Sequence, residues 1–279
     1  MRGVLLTILM IASFQLRAQF SVENISYDFA TSEDATSYFQ PIGQSYSAML
    51  HSGIFPRYSE KGFHIKIGLH VSRLSLYSNL KSFEVESGTY APTIVGSTEP
   101  LVINADTQDE KTYPAGNDIN EIILGAPELY IGTLLGTDFY GRYGQLGLDG
   151  NLGDLVFYGG GIRHDFGRYF LPEYVKWYLS YNYHELSIGE SVSSVNQYGL
   201  TQLGVKLNRI GFYGLFGYEL NDMNLTHDFD NQSATIDLDD AKPFRYGGGF
   251  NLSFKYIELY GEYNINDPVA LLVGFSVGI

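Results

Sequence analysis

Apolar and polar side chains alternate along most of the chain from about residue 63 onward, the period of two that sends successive residues to opposite faces of a sheet. Val175, Trp177, Leu179, Tyr181 and Tyr183 fall on one face, with Lys176, Tyr178, Ser180, Asn182 and His184 on the other. Phe244, Tyr246, Phe250, Leu252 and Phe254 oppose Arg245, Asn251, Ser253 and Lys255 in the same way. Val269, Leu271, Val273, Phe275, Val277 and Ile279 close the sequence with a third clear case. The pattern predicts strands near residues 62–76, 127–134, 137–144, 153–166, 173–187, 195–207, 209–222, 243–254, 256–264 and 268–279. Short links around residues 135–136, 167–172, 208 and 255 alternate with long ones at 77–126, 145–152, 188–194 and 223–242 and with a shorter one at 265–267.

Strands of this length exceed the ~5–6 residues usual in soluble sheets and suit tilted membrane strands of ~9–11 residues. Alternation alone also fits a soluble sandwich or a lipocalin-like barrel, so two further features decide. Aromatic residues gather where the strands end: Trp177, Tyr178, Phe212, Tyr213, Phe254 and Tyr256 by the short links, and Tyr183, Tyr218 and Tyr246 by the long ones. Charges share the other face, at Lys66, Arg163, Asp165, Lys176, Lys206, Glu219, Arg245, Glu258 and Glu262. Charges facing lipid are costly, so that face is the interior. The expected fold is all-β, a transmembrane antiparallel up-and-down barrel of about 10 to 14 strands with an N-terminal hatch-like segment.

Within that barrel Arg163, Asp165, Lys176, Glu219, Arg245, Glu258 and Glu262 form the expected lumen network, with Glu219 beside Arg245 and Asp165 beside Lys176 across adjacent strands. The triplet Gly159-Gly160-Gly161 interrupts one strand and marks the expected place for a close backbone approach, a bulge or a lateral opening. About ten strands leave an interior filled by side chains, whereas wide aqueous channels need ~16 or more, so a general-diffusion porin is disfavoured.

The first residues change the setting. Arg2, an apolar run over residues 4–14 and Ala18 give the three regions of a secretory signal peptide, with cleavage expected after residue 18. The run is too short for a helix that needs ~20 apolar residues to cross a bilayer. The chain thus divides into a signal peptide at 1–18, a hatch or periplasmic segment at 19–61 and a barrel at 62–279. The middle segment carries helix starts at Ser21 and at Thr31-Ser32-Glu33-Asp34, with one extra strand at residues 45–53 as the alternative. The expected location is the outer membrane of a Gram-negative bacterium, with outer-membrane lipid and lipopolysaccharide as partners.

Composition mainly excludes. A formal charge of -14 argues against a nucleic-acid partner, and 0 Cys rules out a disulfide framework or a thiolate site. The mean hydropathy of -0.07 looks soluble, but an apolar belt cancelled by a polar interior and acidic loops gives the same value.

The signal peptide, the stretch from Tyr38-Phe39-Gln40-Pro41 to Leu50-His51-Ser52-Gly53, the sequence Ala91-Pro92-Thr93-Ile94-Val95-Gly96-Ser97 and the central Gly136-Thr137-Asp138 together resemble an uncharacterised Gram-negative outer-membrane barrel family, distantly similar to FadL-type long-chain fatty-acid transporters. The resemblance implies an N-terminal hatch and a small hydrophobic ligand moving toward a lateral opening. The Asn-Pro-Ala hatch motif of those transporters is absent, and about ten strands are fewer than they use.

Chemistry beyond this is sparse. His70 and Ser72 share a face, as the His and Ser of outer-membrane phospholipases do, but the alternation sends both into the lumen and no orienting Asn or Asp is visible nearby. Asp228-Phe229-Asp230 begins like a calcium loop, but Ser233 stands where its glycine belongs. The six histidines show no i, i+4 ligand pair. The reading is of a non-enzymatic barrel without cofactor or metal, which binds or passively conducts a small hydrophobic molecule. The alternative is a structural or surface-interaction barrel with a closed lumen, and an outer-membrane lipid hydrolase comes third.

Overall fold

Ten long strands hydrogen-bond edge to edge and close on themselves in the computed structural model, which describes residues 32–56, 58, 62–104, 110–147, 154–229, 232–238, 243–265 and 268–279. One helix, α1 (Ser32–His51), precedes β1 (His64–Ser75). Two small hairpins follow, β2 (Ser82–Glu86) with β3 (Thr89–Pro92) and β4 (Leu101–Ile103) with β5 (Lys111–Tyr113). The wall continues with β6 (Glu121–Gly132), β7 (Thr137–Gly147), β8 (Asp154–Asp165), β9 (Val175–Ile188), β10 (Val192–Leu207) and β11 (Ile210–Phe229). β12 (Gln232–Asp237) extends β11 as a hairpin beyond the wall, and β13 (Phe244–Ser253), β14 (Ile257–Asn264) and β15 (Val269–Gly278) complete the circuit. Each wall strand pairs antiparallel with its neighbours in sequence, and β15 returns to pair with β1 from Val269 opposite Ser75 to Gly278 opposite Lys66. Closure leaves no unpaired wall edge, which is what allows strands to sit in lipid.

All ten expected strands are present. β6 starts at Glu121, earlier than the pattern suggested, and β11 runs to Phe229 because β12 prolongs its pairing. Two members of the expected aromatic girdles turn inward: Tyr178 and Tyr213 are buried in the lumen. A pleated strand cannot send adjacent residues to one side, so with Trp177 and Phe212 outside, their neighbours must be inside.

The outward faces carry Phe139, Ile162, Leu179, Leu203, Phe216, Phe250, Leu271 and Val273, all exposed. Where this belt meets the end that bears the long connections, outward polar groups appear with tyrosine partners. Tyr158 and Tyr183 both donate to Glu185, the second at 2.6 Å, and Tyr181 donates to Gln197 at 2.8 Å. Amphipathic rings of this kind favour the boundary between an apolar and an aqueous layer.

The segment that sequence left open between helix and strand is helical across residues 45–51, and it lies inside the barrel. Ala35, Tyr38, Phe39, Tyr46, Met49 and Leu50 of α1 are buried. Near its start, Tyr38 donates to the Ala115 carbonyl at 2.7 Å, within the 77–120 connection at the long-loop end. After the helix, Phe55 packs on Tyr140 and Tyr58 reaches Val205 and Phe212 near the short-turn end. The described residues from Ser32 to Tyr58 therefore thread the barrel from one rim toward the other. Pro41 lies inside α1 and cannot donate a helical hydrogen bond, so wall packing rather than intrinsic propensity holds the helix. The expected signal peptide at 1–18 lies outside the described residues.

Candidate functional site

The lumen is layered rather than uniformly polar. Toward the long-loop end it is apolar: Leu74, Leu124, Leu155, Phe157, Leu186, Met223 and Leu272 of the wall surround Phe39, Met49 and Leu50 of α1. Ile94, Val95 and Ile119 of the long connection cover this layer.

Below it, the end of α1 meets a buried ionic group. Glu219 on β11 faces Arg245 on β13, as their opposed strands suggested, and its carboxylate accepts from Arg245 Nε and from Ser47 Oγ. Arg245 Nη2 donates back to Ser47 Oγ at 2.8 Å, and His51 Nδ1 lies 3.1 Å from Glu219 Oε1. Charges buried this completely require partners, and two of Glu219's come from the helix.

Glu262 is served by neutral donors instead. Its Oε1 accepts from Gly53 N–H at 2.9 Å and Asn264 Nδ2 at 3.0 Å, and its Oε2 from the Tyr213 hydroxyl at 2.9 Å. Arg142 Nη1 donates to the Ser52 carbonyl at 3.1 Å, while its Nε and the Tyr140 hydroxyl both reach His184 Nε2, at 3.1 and 2.6 Å. The turn that ends α1 is thus gripped from β7 and from β14.

A third group lies toward the short-turn end. Arg163 Nη2 donates to Asp138 Oδ2 at 2.5 Å and Nη1 to the Phe55 carbonyl at 3.1 Å. The guanidinium carbon lies 4.6 Å from the Phe55 ring centre and 4.3 Å from that of Tyr178. Lys66 Nζ is 3.0 Å from Glu258 Oε2, and Lys176 Nζ is 3.4 Å from Asp165 Oδ2. The Tyr58 hydroxyl lies 2.6 Å from the Phe212 carbonyl oxygen, to which it donates, and 3.1 Å from that of Val205.

The seven charged residues singled out from sequence therefore all face inward, but in separate layers rather than one network. Glu219 meets Arg245 and Asp165 meets Lys176, whereas Arg163, Glu258 and Glu262 find partners outside the expected network: Asp138, Lys66 and the Gly53 backbone. Glu128, Asp138 and Arg142 were missed although the same alternation points them inward. Ser47, His51 and Gly53 follow no strand pattern, so no local signal reveals them.

The expected opening at Gly159-Gly160-Gly161 is corrected by the ladder. Arg142, Gly141 and Tyr140 stand opposite the three glycines on one side, His184, Tyr183 and Asn182 on the other, in unbroken register and without a bulge. The reason is space: a Cβ on Gly159 would fall on the His184 ring, and one on Gly161 would meet Asn182 and Tyr140. Gly159 and Gly161 make room for lumen side chains, and the triplet does not part the wall.

His70 and Ser72 face the lumen, both buried. Contrary to expectation an orienting carboxylate is present, since Glu128 Oε1 on β6 lies 2.8 Å from His70 Nδ1. Ser72 Oγ has no hydrogen-bond partner among the described residues. Of the acidic stretch, Asp230, Asp239 and Asp240 lie outside the described residues.

A match to one protein family runs from residue 1 to residue 279. The chain belongs to DUF6588, a family of unknown function. No curated protein matches the sequence. Among solved structures, the barrel is similar to the toluene transporter TbuX of Ralstonia pickettii, at 6% identity over 78% of this chain and 88% of that one, with a TM-score of 0.29. The toluene transporter TodX of Pseudomonas putida aligns at 10% identity over 93% and 98%, with a TM-score of 0.31. Ail, the attachment invasion locus protein of Yersinia pestis, aligns at 11% identity over 79% and 100%, with a TM-score of 0.23. The DUF6588 chain takes its strand count and closure from its own ladder, and its function rests on its own lumen.

Proposed function

We propose that this chain is a non-enzymatic outer-membrane barrel whose lumen is closed, serving a structural or surface-interaction role through its long-loop end. The observation that carries this reading is the threading segment: residues 32–56 and Tyr58 fill the interior and are pinned by Glu219 and Arg245 at Ser47, by Glu262 at Gly53 and by Arg142 at Ser52. The unbroken wall at Gly159-Gly160-Gly161 supports it, because a lateral path to lipid would need the pairing to part there.

The apolar layer between α1 and the wall favours a second reading, passive movement of a small hydrophobic molecule, if α1 shifts away and leaves Leu74, Phe157 and Leu272 lining a path. Lipid hydrolysis is the least supported. Ser72 has no hydrogen bond to an imidazole, and both it and His70 are walled off from lipid.

A locked helix separates the first two. A Cβ built on Gly43 lies 3.4 Å from Leu238 Cβ, close to disulfide geometry, and the chain has 0 Cys to interfere. For Gly43→Cys/Leu238→Cys in lipid vesicles, oxidised and reduced forms are expected to be equally impermeable to hydrophobic tracers and to ions. Uptake by the reduced form that oxidation abolishes would establish the conduit instead.

A further inference from the structure

The order in which the threading segment meets the wall fixes its direction. The Tyr38 carbonyl accepts from the Ile94 N–H at 3.1 Å, in the 77–120 connection at the long-loop end. A Cβ on Gly43 would fall 3.3 Å from Met223 Sδ, in the apolar layer at the same end. Ser47 is then held at Arg245, the His51 ring centre lies 4.6 Å from that of Tyr198, and the Phe55 ring centre lies 4.8 Å from that of Tyr140. Tyr58 reaches the Phe212 carbonyl, near the start of β11 at the short-turn end. At that rim β1 begins, with His64 opposite Gly132, the last residue of β6 before a short link. The chain therefore enters the lumen at the long-loop rim, ahead of Ser32, and starts its wall from the opposite rim.

Whatever length of chain precedes Ser32 has no way back. Every wall strand pairs with both neighbours, β15 closes on β1, and α1 with Phe55 and Tyr58 occupies the lumen. A return outside the barrel would carry irregular backbone through hydrocarbon, where its N–H and C=O groups would go unpaired.

We infer that this barrel presents its own N-terminal segment on the outer face of the membrane. Outer-membrane barrels turn their short links to the periplasm and their long connections outward, so the chain ahead of Ser32 emerges among the long connections. With cleavage after residue 18, residues 19–31 are the part displayed. The segment crosses the membrane once inside the lumen, from the exterior to the periplasm, before the wall begins. The inference rests on the outer-membrane reading and deepens the surface role proposed above, by adding to the long-loop face a segment tethered through the lumen.

With 0 Cys in the chain, single introduced cysteines report position without interference. Glu33→Cys, at the start of α1, and Asn24→Cys, ahead of it, are compared with Glu99→Cys in the 77–120 connection and Lys255→Cys in the short link between β13 and β14. Glu33, Glu99 and Lys255 are all exposed. Each full-length variant is placed in the outer membrane of a Gram-negative host, and the cells are treated, intact or permeabilised, with a polyethylene-glycol maleimide too large to enter the periplasm. Glu33→Cys and Asn24→Cys are expected to label in intact cells as fully as Glu99→Cys, and Lys255→Cys only after permeabilisation. Heat-modifiable gel mobility checks that each variant folds. Labelling of Glu99→Cys in intact cells, with either Glu33→Cys or Asn24→Cys protected until permeabilisation, would overturn the inference and leave the membrane reading standing. Labelling of Lys255→Cys in intact cells, with the other three protected, would mean a barrel inserted the other way up and would also overturn it. Protection of all four in intact cells would instead count against the outer-membrane reading itself and remove the inference with it.

Discussion

Gly53 donates its backbone N–H to Glu262 Oε1 at 2.9 Å, joining the turn after α1 to β14 across a sequence separation of 209 residues. With Gly53 at φ 72° and its Cα facing Leu272, whose side chain occupies the place a Cβ would take, the turn fits only a glycine pressed against the wall. Plug and barrel are thus built to each other's shape.

The Glu219–Arg245 pair should be costly to break from one side. Glu219→Ala leaves a buried guanidinium without its carboxylate and is expected to destabilise the barrel by about 3–5 kcal/mol. Replacing both, as Glu219→Leu/Arg245→Met, should recover much of that loss. Urea unfolding in detergent or lipid, followed by gel mobility, reads both values, and equal stabilities of the single and double variants would contradict the account.

Glycines on the two faces should behave differently. Gly161→Val thrusts a branched side chain into Asn182 and Tyr140 and should cost about 1–3 kcal/mol by overpacking. Gly199 has open space where its Cβ would be, so Gly199→Val should be near neutral. The comparison of midpoints tests the inward assignment of Gly161.

The belt makes its own prediction. Val273 is 57% exposed on β15 and faces outward between apolar neighbours. Val273→Arg should cost about 2–4 kcal/mol in a bilayer if it lies near the midplane. The folded fraction in vesicles is the measurement, and full folding with unchanged stability would rule out lipid contact there.

Tyr58 fills room that Gly204 and Gly211 leave by lacking side chains, and its hydroxyl satisfies two wall carbonyls. Tyr58→Phe should lose about 0.5–1.5 kcal/mol for the hydrogen bonding, whereas Tyr58→Ala should lose about 3–5 kcal/mol through the cavity. Thermal midpoints that rank Phe and Ala together would show that the ring does not pack as described.

Strand identity was largely legible because it is local. The alternation of Val175, Trp177 and Leu179 with Lys176, Tyr178 and Ser180 fixes which side each residue takes once one face is known to be apolar, and neighbouring hairpins then bring Glu219 to Arg245. At Tyr178 and Tyr213 aromatic identity points to the girdle, whereas position in the pleat sends both side chains inward. Gly159-Gly160-Gly161 misled for the opposite reason: absence of side chains looks alike in sequence whether it opens a wall or makes room for His184 and Asn182.

The sequence by itself determined the ten wall strands, their order and the inward face of their charges, since a pleat of period two and the turn between neighbours are short-range constraints. Only the tertiary structure decided that α1 and the residues from Ser52 to Pro56 fill the lumen, that Arg163 pairs with Asp138 and that Gly53 meets Glu262. Those partners lie on elements distant in sequence, and their meeting depends on the stagger at which the barrel closes and on the space left inside it, quantities that belong to the whole sheet and to no stretch of it.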